Sequence, residues 1–277
     1  MTEAVKTVTF LNTVFVILLV LSGNFSGIVG ELVYYLAFLV PVMIGFYSSK
    51  GLKYKREEEK GIAEAPDRLL SFDKNRAVKL LPFIFPTVLT VFLVSLASSL
   101  LFSVFGASSS PIEDVGMVRM LIAHALIPAA LEELLFRYLP MKLLLPYSKR
   151  WCIIYSALCF ALIHCSFLKM PYAFVAGAVF MTLDIIFGSV WPSVTIHLIN
   201  NAISIVWMKY CSEPVPTAIF IAVLVFLTAL SLLFIFKNKK EYKSALIQSF
   251  DKGQSFAVTY APFMLVLICC YIAAMSL

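Results

Sequence analysis

Residues Thr217 to Phe236 read TAIFIAVLVFLTALSLLFIF, an apolar stretch without a single Asp, Glu, Lys or Arg. A helix rises about 1.5 Å per residue, so a run of this length crosses the roughly 30 Å hydrocarbon core of a bilayer. The rest of the chain supports the same reading. Its 277 residues are 61% hydrophobic and only 14% charged, with a mean hydropathy of +0.93. A soluble domain carries about 25% charged residues, so this chain cannot coat a core of its size in polar surface and must turn apolar surface to lipid. Soluble enzymes, disordered chains, collagen and coiled coils are excluded. The net charge of +6, from 22 Lys+Arg against 16 Asp+Glu, does not point to nucleic acid, because the basic residues cluster between apolar runs in the positive-inside manner. Six cysteines lie in or beside apolar runs with no CxxC spacing, and read as small buried hydrophobes.

Nine runs emerge: Thr7 to about Leu21, Ile28 to Ser49, Leu80 to Phe105, Val115 to about Leu144, Trp151 to Leu168, Pro171 to Val190, Ser193 to Tyr210, Thr217 to Phe236 and Phe256 to Leu277. Backbone in lipid must satisfy its own hydrogen bonds, so each should be helical. The expected fold is all-α, a polytopic transmembrane bundle of about 8 to 9 helices in the cell membrane, with the first run a signal anchor. The basic connections Lys50 to Lys79, Ser148 to Arg150 and Lys237 to Lys252 all fall on the cytoplasmic side if the amino terminus does. Only Lys169 and Lys209 oppose that arrangement.

Ionisable groups inside a bilayer cost several kcal/mol and usually mark function. The fourth run carries Leu131-Glu132-Glu133-Leu134-Leu135-Phe136-Arg137. At i,i+4 spacing Glu133 and Arg137 form an ion pair, a supporting role. Glu132, rotated about 100° away, has no such intrahelical partner and is the candidate general base. The bland alternative is a buried charge cluster that only locks helix packing. Phe160 and His164 share a helix face in the fifth run, as do His197 and Asn201 in the seventh, which opens at Trp191-Pro192. Each pair alone reads equally well as an interhelical hydrogen-bonder. Together the three sets form a hydrolytic constellation. A carboxylate and an imidazole bind and deprotonate a water, directly or through a metal, while His197 and Asn201 stabilise the charge on a scissile carbonyl oxygen. The chain has no HExxH and no GxSxG, which excludes a standard zincin and disfavours a covalent nucleophile. His124 reads as a packing residue ahead of a metal ligand. Asp184 and Asn200 read as supporting or interfacial, and Arg119, near Asp114, as interfacial.

Glu132-Glu133-x-x-x-Arg137, Phe160-x-x-x-His164 and His197-x-x-x-Asn201, in that order on three membrane helices, resemble the motif set of the CPBP family, the CAAX prenyl proteases and bacteriocin-processing enzymes also called the Abi family. The approach Gly188-Ser189-Val190-Trp191-Pro192-Ser193 is similar to bacterial members, and the resemblance spans about Val115 to Met208. It implies an intramembrane endopeptidase with a site open to the cytoplasm. Glu132 and His164 would activate the water, His197 and Asn201 would form the oxyanion hole, and Glu133, Arg137 and Phe160 would support them. Whether zinc or the glutamate alone does the work stays open; Glu132, His164 and His197 suffice as zinc ligands in principle. The chain then divides into membrane helices over 1–112 with a cytoplasmic loop at 50–79, a catalytic helical core over 113–211, and carboxyl-terminal membrane helices over 212–277. The implied partners are a membrane-associated peptide or protein substrate and the lipid bilayer.

Straight helices place His164 about 21 Å past Arg150 but His197 only about 7 Å past Pro192, at different depths. Pro128, Pro140 and Pro146 offer a repair, by letting Met141 to Tyr147 fold inward or lie along the interface. A proton-coupled transporter and a non-catalytic scaffold or immunity protein are the alternative classes. The first calls for repeated halves with paired broken helices, and no repeat is visible. The second predicts tolerance of Glu132→Gln.

Overall fold

The structure is a computed structural model and describes residues 2–60, 69–72, 74–103, 116–164, 166, 168–211 and 214–239. All regular elements among the described residues are helical. The helices are α1 (Thr2–Ser22), α2 (Gly27–Lys60), α3 (Lys74–Ser103), α4 (Met117–Met120), α5 (Ile127–Glu133), α6 (Leu139–Leu143), α7 (Lys149–Leu162), α8 (Met170–Phe187), α9 (Trp191–Tyr210) and α10 (Pro214–Lys237). Among the described residues, five helical stretches are long and apolar enough to cross a membrane: Glu3–Ser22, Gly27–Ser49, Val78–Phe102, Met170–Phe187 and Pro214–Lys237. The chain is a membrane protein. Its lipid-facing character shows in the exposure of Ile28, Val118, Val215 and Phe236, each about 70% accessible or more. The all-helical membrane character is as expected; five such stretches stand against the about 8 to 9 membrane helices expected, and the run Phe256 to Leu277 lies outside the described residues.

The fourth run is one continuous helix with two wide turns. Between α4 and α5 lies a π-helical stretch, Leu121–Leu126, and between α5 and α6 a second, Leu134–Tyr138. The junction residues Leu121, Ile127, Leu134 and Leu139 all keep right-handed helical dihedrals, so the axis is never broken. Each π turn adds a residue to the circuit and shifts the face that later side chains present, a device frequent at functional sites. Glu132 and Glu133 close α5 between the two.

The expected inward fold after this helix is present. Leu139, Met141, Leu143 and Leu144 are all buried, and Ser148, itself buried, accepts the Trp151 N–H to cap α7. The fifth run, expected to continue to Leu168, stops at Leu162. The chain turns there, the His164 N–H bonding back to the Ala161 carbonyl, and the Ser166 carbonyl accepts from Lys169 and Met170 to begin α8, whose first turn carries Pro171. His164 therefore sits in a turn past the helix end.

The bundle is held by close approach and by aromatic contact. An added Cβ on Gly177 of α8 would lie 2.8 Å from the Cα of Ala157, so α7 and α8 meet nearly backbone to backbone. Phe15 of α1 packs on Phe38 of α2 (ring centroids 4.8 Å apart) and edge-on to Phe136 (5.6 Å), which in turn meets Phe160 at 6.1 Å. Asn12 donates to the Tyr155 hydroxyl at 2.8 Å, and the Ser156 hydroxyl donates to the Phe136 carbonyl in the second π turn at 2.5 Å. Those two bonds fasten α7 to α1 and to the helix that carries the carboxylates.

Candidate active site

α5 and α9 pack side by side, which brings the first and third motifs together. Glu133 is fully buried between them and is held at both oxygens. Its Oε2 pairs with Arg137 Nε at 3.0 Å, as the i,i+4 spacing predicted, and its Oε1 accepts from His197 Nδ1 at 2.7 Å. The second bond was not anticipated. Glu132 Oε2 faces the other nitrogen of the same imidazole, Nε2, at 3.9 Å. That is beyond direct hydrogen bonding and is a span that one water or substrate oxygen bridges. One ring thus sits between the two carboxylates, held by Glu133 and turned toward Glu132.

Arg137 has no exposed surface, and its guanidinium carbon lies 4.1 Å from the Phe160 ring centroid and 5.5 Å from that of Phe180. A planar, delocalised cation between aromatic faces is the buried use to which arginine is suited and lysine is not. Phe160 is the hub of the cluster. Its ring stands 5.2 Å from that of His164 and 5.5 Å from that of His197. The depth conflict between the two histidines is resolved by the inward fold before α7: with Leu143, Leu144 and Ser148 buried at its start, the helix delivers His164 to the same ring that touches His197.

His164 Nδ1 lies 2.9 Å from the Phe160 carbonyl. A carbonyl only accepts, so Nδ1 carries the proton and Nε2 of the neutral ring keeps its lone pair. Asn201, one turn beyond His197, is half-buried on α9. His124 lies in the first π turn, away from the contacts that join these residues. Arg119 pairs with Glu31 at 3.7 Å on the exposed surface, and Asp114, its expected neighbour, is outside the described residues.

Four residues in the site carried little or no signal in the sequence. Tyr172 stands with its ring 6.0 Å from that of His164 and is close enough to Glu132 to interact with it electrostatically. Tyr34, from α2, also interacts with Glu132. Phe180 packs 5.6 Å from the His197 ring. Asp184, fully buried, accepts the Ser193 N–H at 2.9 Å and so caps the first turn of α9 from α8. Of these, only Asp184 broke an apolar run, and it alone was singled out in the sequence, as a supporting or interfacial residue.

Glu132, His164 and His197 do not chelate as they stand, since among the described residues no three His, Cys, Asp or Glu side chains converge closely enough to hold a metal ion. Each histidine has its Nδ1 engaged and its Nε2 directed elsewhere, the second-partner pattern common to metal-bound and proton-transferring imidazoles alike.

Residues 114–203 match the family model described as type II CAAX prenyl endopeptidase Rce1-like. No curated protein and no solved structure gives a match. The matched segment contains every residue of the three motifs, all of α5 and the first part of α9, and over residues 114–203 the chain is similar to the Rce1-like family of CAAX-type membrane endopeptidases.

Proposed function

We propose that the protein is an intramembrane endopeptidase that hydrolyses a peptide bond in a membrane-associated peptide or protein, with Glu132 as general base and His197 and Asn201 as the oxyanion hole. The observation that carries this reading is the Glu133 Oε1 to His197 Nδ1 bond of 2.7 Å. It fixes the imidazole so that Nε2 and the Glu132 carboxylate face each other across 3.9 Å.

In the proposed reaction Glu132 takes a proton from water, assisted by the lone pair of His164 Nε2, as the water oxygen bonds to the scissile carbonyl carbon. Charge builds on the carbonyl oxygen. The His197 ring in its doubly protonated form donates Nε2–H to that oxygen, the Asn201 amide donates from one turn further along, and the Glu133 carboxylate balances the imidazolium. Collapse of the tetrahedral species breaks the C–N bond, and Glu132 returns its proton to the leaving amine. Arg137 holds Glu133 in place throughout, and Phe160 orders both histidines.

The test compares peptides and new protein amino termini in cells carrying wild-type protein or Glu132→Gln at equal membrane levels. Fragments present with the wild type and absent with the variant support the reading and identify the substrate. Identical profiles, with the protein inserted and its substrate class supplied, would reject it in favour of a scaffold.

A further inference from the structure

α9 carries His197 and Asn201, and its first turn is anchored twice. One anchor is the Asp184 cap from α8. The other comes from far away in sequence, from the connector between α2 and α3. Three successive carbonyls of that connector, those of Leu69, Leu70 and Ser71, are gripped by the three residues that lead into α9. The Val190 N–H donates to the Leu69 carbonyl at 2.9 Å. The Ser189 hydroxyl lies 2.9 Å from the Ser71 carbonyl and 3.2 Å from that of Leu69. The Trp191 indole N–H donates to the Leu70 carbonyl at 2.9 Å, and its ring meets Phe72 edge-on at 5.7 Å. Gly188, at φ +65°, makes the reversal between α8 and α9 that presents these donors in a row.

This is a peptide backbone read by side chains as well as main chain, and Ser189 and Val190 are buried within it. His197 lies six residues beyond Trp191, a rise of about 9 Å along a rigid helix. A displacement of the turn is therefore carried to the imidazole almost undiminished, and reactions of this kind lose up to about a hundredfold in rate for a misplacement of 1 Å. We propose that Ser189 and Trp191 are positioning residues: by gripping the carbonyls of Leu69, Leu70 and Ser71 they set the axial position of α9, and so register His197 and Asn201 against Glu132 and Glu133 on α5. The kinetic part of the inference rests on the proposed peptidase reading; the mechanical part does not.

The experiment uses the full chain in lipid nanodiscs, with Trp191→Phe, Ser189→Ala, the double variant, and Ser189→Thr as the conservative control. Trp191→Phe removes one N–H donor and keeps a ring for Phe72, so it should fold even if the double variant does not. Hydrogen exchange measured over residues 189–198 should rise several-fold in Trp191→Phe and Ser189→Ala while α7 and α8 keep wild-type protection, and Ser189→Thr should match the wild type. On a substrate identified with the Glu132→Gln comparison, kcat should fall about tenfold with KM unchanged. Unaltered exchange across the start of α9 overturns the proposal, as does raised exchange with wild-type kcat. If no Glu132-dependent substrate exists, the peptidase reading fails on its own, and the exchange measurement still decides the mechanical claim.

Discussion

Replacing either member of the Glu133–Arg137 pair should destabilise the protein far more than replacing both. The two side chains have no exposed surface and sit 3.0 Å apart. With an effective dielectric near 20, two unit charges at that distance attract by about 5 kcal/mol. Glu133→Gln leaves a buried guanidinium without its counter-charge, and Arg137→Met leaves a buried carboxylate; each should cost about 3 to 5 kcal/mol. The pair Glu133→Gln with Arg137→Met removes the attraction together with the desolvation of both ions, keeps side-chain volume, and should cost about 2 kcal/mol or less. The arginine variant also forfeits its contact with the Phe160 ring at 4.1 Å, about 2 kcal/mol in a desolvated site. A double-mutant cycle, read by reversible unfolding in bicelles, should give a coupling of about 3 kcal/mol or more. Additive effects, or single variants as stable as the wild type, would refute the account of these residues as one buried ion pair.

Asn201→Ala should lower kcat by about a hundredfold with little change in KM, because in the proposed oxyanion role the amide acts only as charge develops; an equal rise in KM would move Asn201 to substrate binding. Gly177→Ala should destabilise the bundle by about 1 to 3 kcal/mol, since its Cβ would meet the Ala157 backbone, and a neutral result in thermal unfolding would show that α7 and α8 can separate. On the proposed glutamate-based reading, exhaustive dialysis against a chelator should leave turnover unchanged; loss of activity restored by added zinc would overturn that part of the proposal.

Much of the architecture follows from elementary features of the chain. Apolar runs of membrane length marked the helices from Thr7 onward, and Trp191-Pro192 marked the start of α9, as the structure has it. The pair Glu133 and Arg137 followed from helical spacing alone. The end of α7 was missed because hydropathy stays high through Ile163 and Leu168, while the stop is set by backbone hydrogen bonds around Ala161 and Ser166. The bond from His197 to Glu133 joins residues 64 positions apart and depends on how α5 and α9 face each other, with a π turn on either side of α5, which no periodicity encodes. Tyr34 and Tyr172 were hidden for another reason: an aromatic residue in an apolar helix carries no sign of which neighbour it meets.

A helix of 14 residues rises about 21 Å, some 9 Å less than the hydrocarbon is thick. An α7 that starts at one face of the bilayer ends before reaching the other. The turn that follows has peptide groups not spent in a helix, and at that depth such backbone persists only against protein or beside water. Hydrolysis consumes a water molecule at every turnover, and lipid supplies none. On the proposed peptidase reading, the early end of α7 leaves unspent backbone polar groups beside His164, where the water that hydrolysis consumes would find partners.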